Sequence, residues 1–215
     1  ASGGGGCFPV AIDTKGDGID LLKPEDSNMF ADINKDGWRD QIGWVSSADA
    51  VLAFDANQDG KIDQSNEVSF TSYLPGAKTD LEGLAAFDTN GDGKLSNLDD
   101  QWSKFGLVQD GNGNGIQDEG EFSGLDAQQI VSIDLNRQGS PELNNGNVVF
   151  GTATVTYADG HTTDAADVMF AGKGIALPTD VQALLAAENA KTAEREAAAL
   201  IAAQEIAAKE AADKL

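Results

Sequence analysis

Between Ala11 and about Glu121 one local pattern recurs: a short apolar stretch, a cluster of Asp, Asn and Gly, then Ile, Leu, Val or Trp. The intervals are too uneven for a solenoid, so what repeats is a loop rather than a whole structural unit. Two stretches between clusters, 80–87 and 97–105, place apolar residues at helical spacing, which predicts two short helices flanking a loop. After Gln129 the period shortens to two. Residues 130–135 read as a strand, and 147–157 alternates Thr152, Thr154 and Thr156 with Ala153, Val155 and Tyr157. With Asp159-Gly160 as the turn and 161–170 returning, the pattern is that of a β-hairpin. A Gly-containing linker at 171–178 leads into Thr179-Asp-Val-Gln182, which matches a capping box. The rest of the chain has no Gly or Pro and is rich in Ala, Glu, Lys and Gln, predicting a helix of about 50 Å at about 1.5 Å per residue. Its large apolar residues, Val181, Leu184, Leu185, Leu200, Ile201, Ile206 and Leu215, are too sparse for a heptad seam.

Charge changes the picture. The 215 residues carry 14 Lys+Arg against 36 Asp+Glu, a formal net charge of −22. A nucleic-acid partner bound through its phosphates is disfavoured, because both surfaces carry the same sign. No run approaches the roughly 18 apolar residues of a membrane span. Cys7 is the one cysteine, which excludes an intramolecular disulfide and a cysteine-based zinc site. Divalent cations are the natural counter-charge, and the placement of the acids tests that idea.

Calcium takes hard oxygens, which a tight twelve-residue loop supplies from positions 1, 3 and 5, a carbonyl at 7, position 9 and a carboxylate at 12, with Gly at 6 for the sharp turn. Asp110, Asn112, Asn114, the Ile116 carbonyl, Asp118 and Glu121 fill every position, with Gly115 at the sixth. Asp88, Asn90, Asp92, the Lys94 carbonyl, Ser96 and the shorter Asp99 do the same around Gly93. Asp55, Asn57, Asp59, the Lys61 carbonyl and Asp63 begin a third loop whose final acid, Glu67, falls at position 13. Asp32, Asn34, Asp36, the Trp38 carbonyl and Asp40 begin a fourth, but Gly43 stands at position 12. In the first cluster, Lys15 occupies position 3, so Asp13, Asp17 and Asp20 form no self-contained site and are candidates to complete the Asp32 loop. Asp/Asn/Gly clusters also make ordinary turns, yet four matches at this spacing exceed what turn composition alone produces. About four Ca²⁺ ions are expected, and folding should be linked to binding them.

The order Pro9-Val-Ala-Ile-Asp13, Asp17-Gly18-Ile19, Asp32-x-Asn-x-Asp-Gly, Gly43-Trp44-Val45, Asp55-x-Asn-x-Asp-Gly-x-Ile-Asp63 and the paired loops at 88 and 110 resembles the self-processing module of iron-regulated RTX proteins. The likeness spans roughly residues 8–170 and includes the late Glu67 and Asn144-Asn-Gly-Asn147. It implies a type I-secreted bacterial protein, outside the cell or on its surface, whose module folds on meeting calcium and then cleaves an Asp-Pro bond at its own start. Here Pro9 holds the proline position, but Phe8 replaces the aspartate and has no carboxylate to attack its own carbonyl. The resemblance therefore supports the scaffold and argues against self-cleavage. The fold expected is α+β, with EF-hand-like calcium loops, short helices and a β-hairpin, followed by a long C-terminal helix. Its divisions are a Gly-rich linker at 1–7, a calcium-binding module at 8–172, and a linker plus helix at 173–215.

Other candidates are weaker. His161 beside its turn reads as solvated, since a general base needs a positioned partner. Cys7 reads as an exposed thiol or as the remnant of a lipid-anchor or intermolecular site, and Trp38, Trp44 and Trp102 as core. The long helix is a candidate surface for another protein. Three functions compete: a calcium-ordered structural module without catalysis, a calcium-activated autoproteolytic module, and a cytosolic calcium sensor that opens an apolar groove. The sensor is disfavoured, because Met occurs only at 29 and 169.

Overall fold

The computed structural model describes residues 9–34, 36–175, 177 and 179–212. The 1–7 linker with its Cys7 thiol, Phe8 and Leu215 lie outside the described residues. The chain divides into two compact units, Ala1–Ala176 and Leu177–Leu215.

In chain order the first unit contains β1 (Val10–Ile12), β2 (Leu21–Leu22), β3 (Phe30–Ala31), β4 (Asp40–Gln41), β5 (Trp44–Val45), β6 (Ala50–Phe54), the one-turn helix α1 (Asp80–Gly83) and β7 (Lys94–Ser96). Next come β8 (Phe105–Val108), β9 (Phe122–Gly124), β10 (Ile130–Asp134), β11 (Glu142–Asn144), β12 (Asn147–Tyr157) and β13 (Thr162–Met169). One antiparallel sheet runs β7-β10-β12-β13-β1-β6-β8-β9, with β11 added along β12. The strands β12 and β13 are the hairpin that the threonine alternation predicts, with Val155 opposite Thr163.

Burial on both faces explains why the central strands do not alternate. Val10, Ile12, Leu52 and Phe54 enter one apolar cluster, while Ala11, Val51, Ala166 and Val168 enter another. A continuous apolar run is what a strand covered on both sides requires. The larger cluster is held by aromatic rings: Phe54 lies 4.8 Å from both Phe87 and Phe105, and Tyr73 lies 4.8 Å from Phe87. Tilted and edge contacts of this kind contribute about 0.5–1.5 kcal/mol each beyond area burial.

The expected α+β fold with helix–loop–helix calcium loops is not what forms. The unit is mostly sheet, and the elements flanking the Asp88 loop are a 3-10 turn (Leu84–Phe87) and strand β7. Residues 97–104 give only turns and a 3-10 helix at Trp102–Lys104, and Phe105 already opens β8. The reason is local: Leu95 sits fully buried opposite Ile133 of β10, so the end of the loop is drawn into the sheet before a helix can start. Trp102 is core, its indole donating to Asp126 at 2.8 Å, and Trp44 packs on Phe170 in a tilted ring contact. Trp38, expected in the core, is 77% exposed, because it comes after the turn of a loop that projects from the two-residue hairpin β3–β4.

The second unit is α2 (Thr179–Ala212). Gln182 donates from its side-chain amide to the Leu177 carbonyl at 2.8 Å. Leu200, Ile201 and Ile206 on this helix are exposed. No described helix is long and apolar enough to cross a membrane.

Candidate metal centre

The four loops that match the calcium spacing share one hydrogen-bond pattern. At position 1, Asp32, Asp55, Asp88 and Asp110 each accept the amide of position 5 on one carboxylate oxygen and that of the position-6 glycine on the other, at 2.7–3.1 Å. Asn34, Asn57, Asn90 and Asn112 at position 3 accept that same position-5 amide. Side-chain oxygens of positions 1 and 3 are thereby gathered on one nitrogen. The position-5 oxygens of Asp36, Asp59, Asp92 and Asn114 then hold the amides of Trp38, Lys61, Lys94 and Ile116, whose carbonyls are the position-7 donors. The sixth residue lies in the left-handed region in every loop, at φ 91°, 77°, 80° and 73° for Gly37, Gly60, Gly93 and Gly115, where a Cβ is disfavoured.

Closure differs between loops. Glu121 spans its loop, accepting the amides of Gly111 at 3.0 Å and Asp118 at 2.9 Å, and the Asp118 carboxylate also takes the side-chain amides of Asn112 and Asn114. Asp99 does the same for Thr89 and Ser96, at 2.7 and 2.8 Å. Glu67 is fully buried; one of its oxygens accepts the amides of Asp63 and Gln64, and the other, Oε1, has no hydrogen-bond partner. A buried carboxylate oxygen left without a donor is costly unless a cation or proton meets it. Among the described residues the Asp32 loop has no such closing acid: Asp40 is paired in β4 with Ala31, and Gly43 is packed so closely on Asn147 that a Cβ would lie 2.0 Å from its Oδ1.

Asp13 is buried and engaged by its own loop, accepting the amides of Lys15, Gly16 and Gly18. The acid beside it is Asp49, which the spacing rule does not find. Ile12 pairs with Ala50 across β1 and β6, so the antiparallel ladder sets Asp13 next to Asp49. Asp49 accepts the amides of Thr14 at 3.2 Å and Asp20 at 2.7 Å, the bridging role that Asp99 and Glu121 play elsewhere. Burial pushes the Asp49 carboxyl above the usual carboxylate range, and the charges of Asp13 and Asp20 add to that, against the two amides that lower it. Asp17 and Asp20 have exposed side chains.

The loops also touch one another. Asn28, just before β3, donates to the Gly113 carbonyl at 2.6 Å, and the Ile62 amide donates to Gln117 at 2.7 Å. Gln109 and Thr14 both bond the Ala48 carbonyl. The Asp110 loop is therefore tied to the segments carrying the Asp32, Asp55 and Asp13 loops. Among the described residues, no three His, Cys, Asp or Glu side chains gather as a metal cluster. The oxygen sets here include asparagine and main-chain carbonyl oxygens, donors suited to a hard cation such as calcium.

An antiparallel sheet bordered by Asp/Asn/Gly loops defines the class of this module. The model of the SPM domain matches residues 10–171, from the start of β1 to just beyond β13, and the chain belongs to the SPM domain family. It is 32% identical over 191 residues to the iron-regulated protein FrpA of Neisseria meningitidis serogroup C. That alignment takes in 86% of this chain and 17% of FrpA, so the chain corresponds to a small segment of a much longer bacterial protein.

Proposed function

We propose that the chain is a calcium-binding structural module in which about four Ca²⁺ ions order the Asp/Asn/Gly loops that border its short strands. The observation that carries the reading is the hydrogen-bond pattern shared by the four loops, with closing acids at Glu67, Asp99 and Glu121. Calcium supplies compact positive charge to oxygen-rich loops. The chain's part is to hold those oxygens in place: Asp55, Asn57, Asp59, Asp63 and Glu67 in one loop, Asp88, Asn90, Asp92, Ser96 and Asp99 in the next, and Asp110, Asn112, Asn114, Asp118 and Glu121 in the third. The carbonyls of Lys61, Lys94 and Ile116 complete them. Asp32, Asn34, Asp36, the Trp38 carbonyl and Asp40 form a more open fourth. Asp49 joins Asp13, Asp17 and Asp20 as the acid that neither the loop spacing nor the local sequence supplies.

The setting proposed is a larger secreted or surface bacterial protein of RTX type, and affinities of about 10⁻⁵ to 10⁻³ M suit extracellular calcium. Calorimetric titration of the calcium-free protein is expected to show about four ions with site-dependent affinities; no heat of binding at millimolar calcium would end the proposal. Glu121→Gln should weaken its loop on the order of tenfold or more, and by more than Asp99→Asn weakens its own, because the longer Glu can bind an ion with both oxygens. Equal losses in a site-resolved titration would contradict that ranking.

Catalysis is not part of the reading. The Pro9 carbonyl accepts the Val168 amide at 3.2 Å, which anchors the residue after Phe8 in the sheet, but Phe8 brings no carboxylate to the bond between them. The protein is expected to keep its full mass after prolonged incubation in calcium, as read by mass spectrometry; a fragment beginning at Pro9 would restore the autoproteolytic alternative.

A further inference from the structure

Two carboxyl groups outside the loops are completely buried against each other's elements. Asp80 opens α1 and Asp167 lies in β13, and each is 0% exposed. One oxygen of Asp80 accepts three donors, the Ser69 hydroxyl at 3.1 Å and the amides of Phe70 at 2.6 Å and Thr71 at 2.9 Å. Its other oxygen, Oδ2, is buried with no partner. Asp167 accepts the Leu81 amide at 3.3 Å and Arg137 Nη1 at 3.0 Å, so the next residue after Asp80 is bonded to the second acid. From the packed elements, α1 brings Asp80 and Glu82, β13 brings Asp167, and the segment after β10 brings Arg137. Glu82 stands 3.9 Å from the same guanidinium. The 69–71 segment contributes hydroxyls and amides only, and β1 sets the apolar Val10 opposite Asp167. One guanidinium thus meets the buried Asp167 and the partly exposed Glu82, while the second buried carboxyl, Asp80, is satisfied by neutral donors on one oxygen only. If both buried groups ionised, one negative charge would stay uncompensated in an apolar site, where an unpaired charge is far more costly than a neutral acid.

We propose that Asp80, Asp167 and Arg137 form a proton-operated latch: a proton on Asp80 Oδ2 keeps the cluster neutral and ties the 69–71 segment and α1 to β13, and losing that proton loosens the module as the medium rises from mildly acidic to neutral. Burial pushes the Asp80 carboxyl up to about 7, against its three donors and with the charge of Asp167 adding to the rise. Asp167 is also raised, first by burial, while the Thr79 hydroxyl, the Leu81 amide and Arg137 hold it back. Both shifts have the same sign. A carboxyl raised in the folded state keeps its proton longer than in the unfolded chain, so the folded state is favoured most below the unfolded value of about 3.9 and loses ground as pH rises through the folded one. The loss is limited to about tenfold in the unfolding constant per pH unit for one proton, and it ends above the folded value. Gly151 makes room for the arginine: a Cβ there would lie 2.7 Å from Arg137 Cγ and 2.5 Å from the Gln138 carbonyl oxygen.

The test is urea unfolding in saturating calcium between pH 5.5 and 8.5, for the parent and for Asp80→Asn, which keeps the acid's shape without its titration. The parent should unfold on the order of tenfold more readily at pH 8 than at pH 6, and Asp80→Asn should flatten that slope and be the more stable protein at pH 8. The ¹³C carboxyl shift of Asp80 in the parent protein, which needs no variant to fold, should move with a midpoint near neutrality. A midpoint below pH 5, or identical pH slopes in parent and variant, would overturn the latch.

Discussion

Chelating calcium at neutral pH is expected to lower the thermal midpoint of the SPM unit by roughly 20–40 °C, or to abolish its cooperative transition altogether. The size comes from linkage. An ion held at a free concentration about a hundred times its dissociation constant stabilises the folded state by about 2.7 kcal/mol, so four contribute on the order of 11 kcal/mol. That equals most of the stability of an ordinary domain, about 5–15 kcal/mol. Charge acts in the same direction: four ions would bring the formal −22 to −14, and the acids concerned are grouped within single loops, as Asp118 and Glu121 are, the Glu121 carboxylate accepting the Asp118 amide. Magnesium should not substitute fully, because it demands a tighter octahedral shell and gives up water reluctantly. Differential scanning calorimetry with chelator, magnesium and calcium makes the comparison, and an unchanged midpoint in chelator would contradict it.

The second large effect concerns one glycine. Gly93 and Gly115 occupy the same loop position with nearly the same backbone, φ 80° and 73°. A Cβ on Gly93 meets nothing, whereas one on Gly115 would lie 2.3 Å from the Asn28 carbonyl oxygen and 2.8 Å from its carbon. Gly93→Ala is therefore expected to cost about 1–2 kcal/mol, the left-handed backbone penalty alone. Gly115→Ala adds an overpacking term of about 1–3 kcal/mol, because main chain cannot swing aside as a side chain would. It also presses on the bond from Asn28 to the Gly113 carbonyl, loosening the junction of the Asp110 loop with the β3 segment. Urea unfolding in calcium should rank Gly115→Ala as the more damaging by at least about 1 kcal/mol; equal costs would mean that the two segments do not pack as described.

How much was legible in the sequence depended on the range of the interaction. The hairpin β12–β13 was readable because side-chain alternation and a two-residue turn are local signals. The interior of each calcium-spaced loop was readable for the same reason: Asp at 1 and Asn at 3 accept amides no more than five residues away, one of them that of the Gly at 6. The segments leaving the loops were not. The helical spacing at 97–105 was overruled by Leu95, whose burial against β10 depends on a strand some forty residues later. Asp49 was missed because it closes the Asp13 loop across the β1–β6 ladder, from 29 and 35 residues away. The one local hint was its place at the head of Ala50–Phe54, a run buried at every position, where an acid has reason to be held by something other than water. Trp38 misled through its type alone, since a large aromatic just after the turn of an exposed loop has no core to enter.

The central claim is that calcium, held by these loops, brings the sheet together, and residue-resolved amide spectra recorded during a calcium titration test it most directly. The account predicts a poorly dispersed spectrum in chelator. As calcium is added, the amides of Gly60, Gly93 and Gly115 should shift and saturate together with the appearance of dispersed signals from β1, β6, β8 and β13. A sheet already fully dispersed in chelator, with those loop amides unmoved by millimolar calcium, would contradict it.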